Sequence, residues 1–142
     1  MKISALRLLY QKQRAWGLTA SIDLSGCDHK LIQSPKAIKH FVTEMITSIK
    51  MKTHGPMHLE RFAEGHLEGY SVMQFLETSS LTIHFDHMIK DRAFIDIFSC
   101  KFFDPERAAK FSKDYFKAKK ARTKTIIRYY IKTKTAHFNG LF

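Results

Sequence analysis

Apolar residues recur along the chain in two periods, and the switches between them lay out a fold. From Leu18 to Leu24 apolar residues alternate with small polar ones, the period of a half-buried strand, and Ser25-Gly26-Cys27-Asp28 ends it as a turn. Ser34-Pro35 sets an N-cap hydroxyl before a proline at the first helical position. Ile38, Phe41, Val42, Met45, Ile46 and Ile49 follow at three- and four-residue spacing, one apolar face of a helix that packs on a sheet. His54-Gly55-Pro56 reads as a break, Met57 to Phe62 as a short strand, and Ala63 to Gly69 as a loop.

The period returns to two over Ser71–Leu76, Leu81–Phe85 and Ala93–Ser99. These strands are separated by Glu77-Thr78-Ser79-Ser80 and by the loop Asp86–Arg92, connections short enough for an antiparallel sheet. Asp104-Pro105-Glu106 opens a second helix, with Ala108, Phe111, Ser112, Tyr115 and Phe116 on its buried side. Lys117 to Lys124 reads as a basic connection and Thr125 to Ile131 as a final strand. Near the start, Ile3, Leu6, Leu9 and Tyr10 give a short helix an apolar face opposite basic residues, expected to pack on the body rather than on a membrane. The predicted fold is α+β: a two-layer sandwich, an antiparallel sheet with helices packed on one face and the other face free for a partner sheet.

Charge divides the chain differently. The net charge is +11, but residues 1–17 and 117–142 hold twelve of the 24 Lys and Arg and none of the 13 acids. The remainder, residues 18–116, is therefore nearly neutral, which argues against a dedicated nucleic-acid reader. The expected layout is a basic extension over 1–16, one domain over 17–131 and a basic tail over 132–142. No run approaches the ~18 apolar residues of a membrane span, and no secretory leader is evident, so a cytoplasmic protein with no membrane partner is expected. Cys27 and Cys100 make no disulfide framework, and no Cys/His cluster has metal-ligand spacing, so no metal is expected.

Four side chains with chemistry to offer lie on the central strands: Ser71, Ser79, His84 and Cys100. Two hydroxyls, an imidazole and a thiol are suited to acyl chemistry and proton transfer. Singly, each is also an ordinary strand residue. Their types alone do not choose a reaction.

Their order and spacing resemble a family. Gly69-Tyr-Ser71, Ser79-Ser-Leu-Thr-Ile-His84 and Ile95-Asp96-Ile-Phe-Ser-Cys100 are similar to the corresponding runs of the prokaryotic-type S-adenosylmethionine decarboxylases. Ser71 to Ser79 is eight residues and Ser79 to His84 five, as in that family. Gly26-Cys27-Asp28 and the helix from Ser34 also match, so the resemblance covers roughly residues 17–131.

The resemblance implies a chain that cuts itself between Thr78 and Ser79. Ser79 attacks the Thr78 carbonyl, Ser71 supports the tetrahedral intermediate, and His84 removes the α-proton of residue 79. Ser79 becomes a pyruvoyl group, a self-generated cofactor that acts as electron sink for decarboxylation. Cys100 holds the family's proton-donor position and is expected to serve turnover and not cleavage. A homodimer whose protomers share each active site is also implied, acting on S-adenosylmethionine for polyamine synthesis.

The chain departs from the family at defined places. Thr78 and Ser80 flank Ser79 where Glu and His are usual, which makes Ser80 a rival cleavage serine. Phe85-Asp86-His87 replaces the family's Thr-Trp-Pro, removing the tryptophan that holds the adenine. Phe62 and Phe85 are then the aromatic candidates for the purine, with Glu77 as a further substrate-binding candidate. The alternatives are the same chemistry on ornithine or arginine, and an unprocessed regulatory homologue.

Overall fold

The computed structural model describes residues 2–129. Helix α1 (Ile3–Lys12) precedes strand β1 (Gly17–Ser25) and helix α2 (Pro35–Ser48). Strands β2 (Thr53–Phe62), β3 (Gly69–Leu76), β4 (Ser79–Asp86) and β5 (Arg92–Ser99) follow, then helix α3 (Pro105–Tyr115) and strand β6 (Lys120–Arg128). The strands form one six-stranded sheet in the order β2-β3-β4-β5-β1-β6, antiparallel at every pairing.

Alternation decides which face is buried. Leu18, Ala20, Ile22 and Leu24 of β1, Leu81, Ile83 and Phe85 of β4, and Ala93, Ile95 and Ile97 of β5 all point to the covered side. Against them α2 lays Ile38, Phe41, Val42, Met45 and Ile46, fully buried as their spacing predicts. Each such large side chain contributes roughly 1.5–3 kcal/mol. Phe116, just past α3, joins this core with its ring 4.5 Å from that of Phe41. Both helices start at predicted caps. Ser34 Oγ accepts from the Ala37 amide at 3.2 Å, and Asp104 Oδ1 accepts from the Glu106 and Arg107 amides at 3.0 and 3.1 Å.

Strand boundaries differ from the sequence pattern, beginning with β4, which starts at Ser79 and not at Leu81 and leaves only Glu77-Thr78 of the expected Glu77–Ser80 connection. The His54-Gly55-Pro56 break lies inside β2, as a register shift between His54 and His58. Proline is tolerated there because β2 is an edge strand. The buried Gln74 amide secures the irregular stretch, donating to the His54 and Gly55 carbonyls at 3.2 Å each. At the other edge, β6 begins at Lys120 and not at Thr125, so the basic run Lys120–Lys124 is strand and not connection. It pairs with β1 without interruption from Ser25↔Lys120 to Gly17↔Arg128, and lysines along an exposed edge guard it against further pairing. Ile131, the expected end of that strand, and the tail 132–142 lie outside the described residues.

The opposite face of the sheet has no helix over it among the described residues. Phe62, Met73, Phe75 and Ile126 stand on it with more than half of their surface exposed. Apolar side chains exposed together on one face are the kind of surface that protein contacts use. On the covered side, Ile3, Leu6 and Leu9 of α1 border a cleft with Asp104–Glu106 and with Thr123, Thr125 and Ile127 of β6.

Candidate active site

The hairpin between β3 and β4 builds the first half of the site. Its register runs from Ser71↔His84 to Leu76↔Ser79, leaving Glu77-Thr78 as a two-residue turn. Thr78 sits at φ +69°, in the left-handed region that a β-branched residue seldom adopts. A backbone held in such a region stores on the order of 1–3 kcal/mol. The turn is fastened by the Glu77 amide, which donates to the Lys52 carbonyl at 2.9 Å.

The Thr78 carbonyl accepts from two donors of one residue. The Cys100 amide reaches it at 3.0 Å and the Cys100 thiol at 2.9 Å. Thr78 Oγ1 lies 3.5 Å from Ser79 Oγ, and Ser79 pairs with Ser99 at the start of the β4–β5 ladder. Two donors on one carbonyl oxygen are the kind of arrangement that an oxyanion hole uses. Cys100, expected to serve turnover, thus lies directly against the Thr78–Ser79 peptide.

The second half lies on the open sheet face. Ser71 Oγ and His84 Nδ1 are 2.8 Å apart, side by side across the β3–β4 pair. They open onto a pocket of about 380 Å³ lined also by His58, Glu60, Phe62, Met73 and Thr82. Glu60 is the cross-strand neighbour of Ser71 and the only carboxylate in that lining. Neither His58 nor Glu60 was singled out by the sequence, because only the β2–β3 register brings them beside Ser71.

The two halves are not in contact within one chain. Ser79 and His84 are five residues apart on β4, about 17 Å at the rise of an extended strand. An odd separation also puts them on opposite faces: Ser79 has the parity of buried Leu81 and Ile83, His84 that of Ser80 and Thr82.

Of the substrate-binding candidates, Phe62 lines the pocket and Phe85 does not. Phe85 is 4% exposed and packs edge-on against Phe116 at 5.3 Å, on the covered face, where it is core. Glu77 stands exposed in the turn, away from the pocket lining. Asp86, in the place of the family's tryptophan, is committed to structure. It accepts from the Met88 and Ile89 amides at 3.0 and 3.1 Å and pairs with Arg92. Burial raises its pKa, but Arg92 and the two amides outweigh burial and hold the carboxyl below its usual range. Among the described residues, no group of three or more His, Cys, Asp or Glu side chains is placed to hold a metal ion.

Comparison with known proteins bears on this geometry. The profile of a family described as S-adenosylmethionine decarboxylase matches residues 18–129. Among curated protein sequences none matches the chain. Among solved structures, an adenosylmethionine decarboxylase from Aquifex aeolicus VF5 superposes with a TM-score of 0.68 at 18% identity. The superposition covers 87% of this chain and 98% of that one, and it shows that the two share a fold.

Proposed function

Because the chain belongs to the S-adenosylmethionine decarboxylase family, we propose that it is a self-processing, pyruvoyl-dependent decarboxylase of S-adenosylmethionine that supplies polyamine synthesis in the cytoplasm. Residues 17–131 form its catalytic domain, between two basic ends. The single observation that carries the reading is the Thr78 carbonyl, held at a positive-φ turn with the Cys100 amide and thiol on its oxygen.

Processing follows from that corner. Ser79 Oγ attacks the Thr78 carbonyl carbon, the two Cys100 donors stabilise the oxyanion, and the C–N bond breaks to leave an ester and a free amine on residue 79. Releasing the turn also releases the strain at Thr78. A base then removes the α-proton of residue 79, β-elimination frees the Thr78 carboxylate, and hydrolysis of the dehydroalanine expels ammonia. His84, oriented by Ser71, is that base.

The pyruvoyl group so formed at residue 79 supplies an electron-withdrawing carbonyl for decarboxylation. The rest is done by side chains. Ser71 and His84 present the polar end of the pocket, Phe62 and Met73 its apolar wall, and Cys100 holds the proton that replaces carbon dioxide. Since Ser79 and His84 are remote within a chain, the working unit is a homodimer. Two copies meet through the open sheet faces, and Ser71–His84 of each completes the Thr78–Ser79–Cys100 corner of the other.

A second reading keeps the chemistry and changes the substrate to ornithine or arginine. Glu60 favours it: a carboxylate in the pocket suits a cationic side chain, and Asp86, bound to Arg92, offers no aromatic surface for a purine.

Denaturing mass spectrometry of the purified protein tests the reading. It should reveal one chain ending at Thr78 and one beginning with a pyruvoyl group in place of Ser79. A single intact chain after prolonged incubation at neutral pH overturns it. Carbon dioxide release from S-adenosylmethionine, ornithine and arginine then separates the two substrates.

A further inference from the structure

Cys100 lies one residue beyond the end of β5, where one further rung, its amide on the Thr78 carbonyl, closes the ladder. Contacts on two sides hold it. Toward the hairpin, its amide and thiol both engage the Thr78 carbonyl. The other side belongs to α1, a helix outside the residues that the family profile matches.

The grip of α1 is specific. The Phe102 ring is held between two of its side chains: the Arg7 guanidinium lies 4.3 Å over the ring centroid, and Tyr10 meets the ring edge-on at 5.4 Å. The Tyr10 hydroxyl stands 3.5 Å from the Cys100 carbonyl oxygen, a polar contact longer than an ordinary O–H···O bond. Burial, with Cys100 adding to it, pushes the Tyr10 hydroxyl above its ordinary pKa, so it remains a donor at neutral pH. The helix itself is fixed to the body. Leu6 is buried, the Trp16 amide donates to the Arg128 carbonyl at 2.7 Å, and the Trp16 ring stacks on Phe98 at 5.7 Å.

We propose that α1 is a positioning element of the active site: by gripping Phe102 and the Cys100 carbonyl, it sets the Cys100 amide and thiol on the Thr78 carbonyl oxygen. The proposal rests on the reading of this corner as the cleavage and turnover site. It goes further in giving a positioning duty to a segment outside the residues that the family profile matches, with Tyr10 and Arg7 acting through Phe102 and Cys100. Neither touches the pocket lined by His58, Glu60 and Phe62, so α1 affects how fast the chemistry runs and not how tightly substrate binds.

Three variants test it: Arg7→Ala, Tyr10→Phe, which keeps the ring against Phe102, and Phe102→Leu. The first measurement needs no cleavage. In a Ser79→Ala background, the rate of Cys100 alkylation by iodoacetamide reports how firmly the thiol is held. Cys27 stays silent because burial pushes its thiol up to about 12. Alkylation should quicken severalfold in Arg7→Ala and Phe102→Leu. In the Ser79 protein made by cell-free synthesis, self-cleavage should slow by about tenfold in Phe102→Leu, part of what a lost oxyanion donor costs. Tyr10→Phe should slow it less. In the processed enzyme kcat should fall with KM unchanged, at an unaltered urea midpoint.

Wild-type alkylation and cleavage rates in Arg7→Ala and Phe102→Leu overturn the proposal. So does a rise in KM that matches the fall in kcat, or a loss of rate that only follows a loss of folding. A chain that never cleaves, yet whose Cys100 alkylates faster without the α1 contacts, refutes the self-processing reading and supports the α1 contact. The two failures are therefore read separately.

Discussion

Ser79 and His84 share strand β4 but stand about 17 Å apart along it, Ser79 paired to Ser99 and His84 to Phe94. No rotamer change closes that distance. The twofold dimer proposed above would bring one end of the strand in one copy toward the other end in its partner, if its axis crosses β4 near the middle. The exposed Phe62, Met73 and Phe75 supply the apolar surface for such a contact.

Complementation is the expected consequence. Ser79→Ala and His84→Ala chains should each stay uncleaved alone. Mixed by co-expression, the heterodimer contains one site with Ser79 from the His84→Ala chain and His84 from the Ser79→Ala chain. Only His84→Ala chains should then be cut, which intact-mass analysis resolves. An uncut mixture in which heterodimers have been verified refutes the shared site.

Thr78 gives a second expectation. Its φ of +69° is strained for threonine and relaxed for glycine. In a Ser79→Ala background, Thr78→Gly should raise stability by about 1 kcal/mol in urea unfolding. With Ser79 present, the same change should slow cleavage, because less strain is released when the peptide bond opens. Faster cleavage in Thr78→Gly would show that the turn's conformation does not drive the reaction.

What was legible in the sequence was local or rested on parity. The start of α2 at Ser34-Pro35 and of α3 at Asp104-Pro105 follows from caps that act within one turn, and both stand where the pattern puts them. Ser71 and His84 are neighbours because the turn is only Glu77-Thr78, which the four-residue connection expected over Glu77–Ser80 does not show. The five-residue offset of His84 from Ser79 implies opposite faces, although the order of the reactive residues alone conceals this. What was not legible depended on pairing partners. Lys120–Lys124 reads as a solvated connection until β1 supplies its ladder, and His54-Gly55-Pro56 reads as a break until Gln74 bonds across it. Phe85 was a purine candidate by nearness to His84 in sequence, yet one residue along a strand is the other face of the sheet.

Acid stability should depend on Asp86. Desolvation works against its charge, but Arg92 and the Met88 and Ile89 amides prevail, so its folded pKa lies below the unfolded value. A depressed carboxyl contributes stability that is present above the unfolded pKa of about 3.9 and lost as pH falls through the folded one. The thermal midpoint of Asp86→Asn should therefore fall below that of the unmutated chain at neutral pH, and the gap should narrow below about pH 4. A gap that stays constant from pH 7 to pH 3 would assign the effect to the amide contacts and not to the charge.

Gly69 permits the close approach on which the Ser71–His84 pair depends. A Cβ built there would lie 2.3 Å from the Phe85 carbonyl oxygen, a contact with backbone that no side-chain movement relieves. Gly69 is two residues before Ser71 and Phe85 one after His84, so relief of that clash separates β3 from β4 at the rung beside the pair. Gly69→Ala should lower stability by roughly 1–3 kcal/mol in urea unfolding, the usual cost of overpacking. It should also slow cleavage more than that loss explains, because the Ser71–His84 hydrogen bond is displaced with the strand. Raising protein concentration or lowering temperature to restore full folding should leave the cleavage defect in place. Recovery of wild-type cleavage once Gly69→Ala is fully folded would mean that the glycine serves the sheet and not the Ser71–His84 contact.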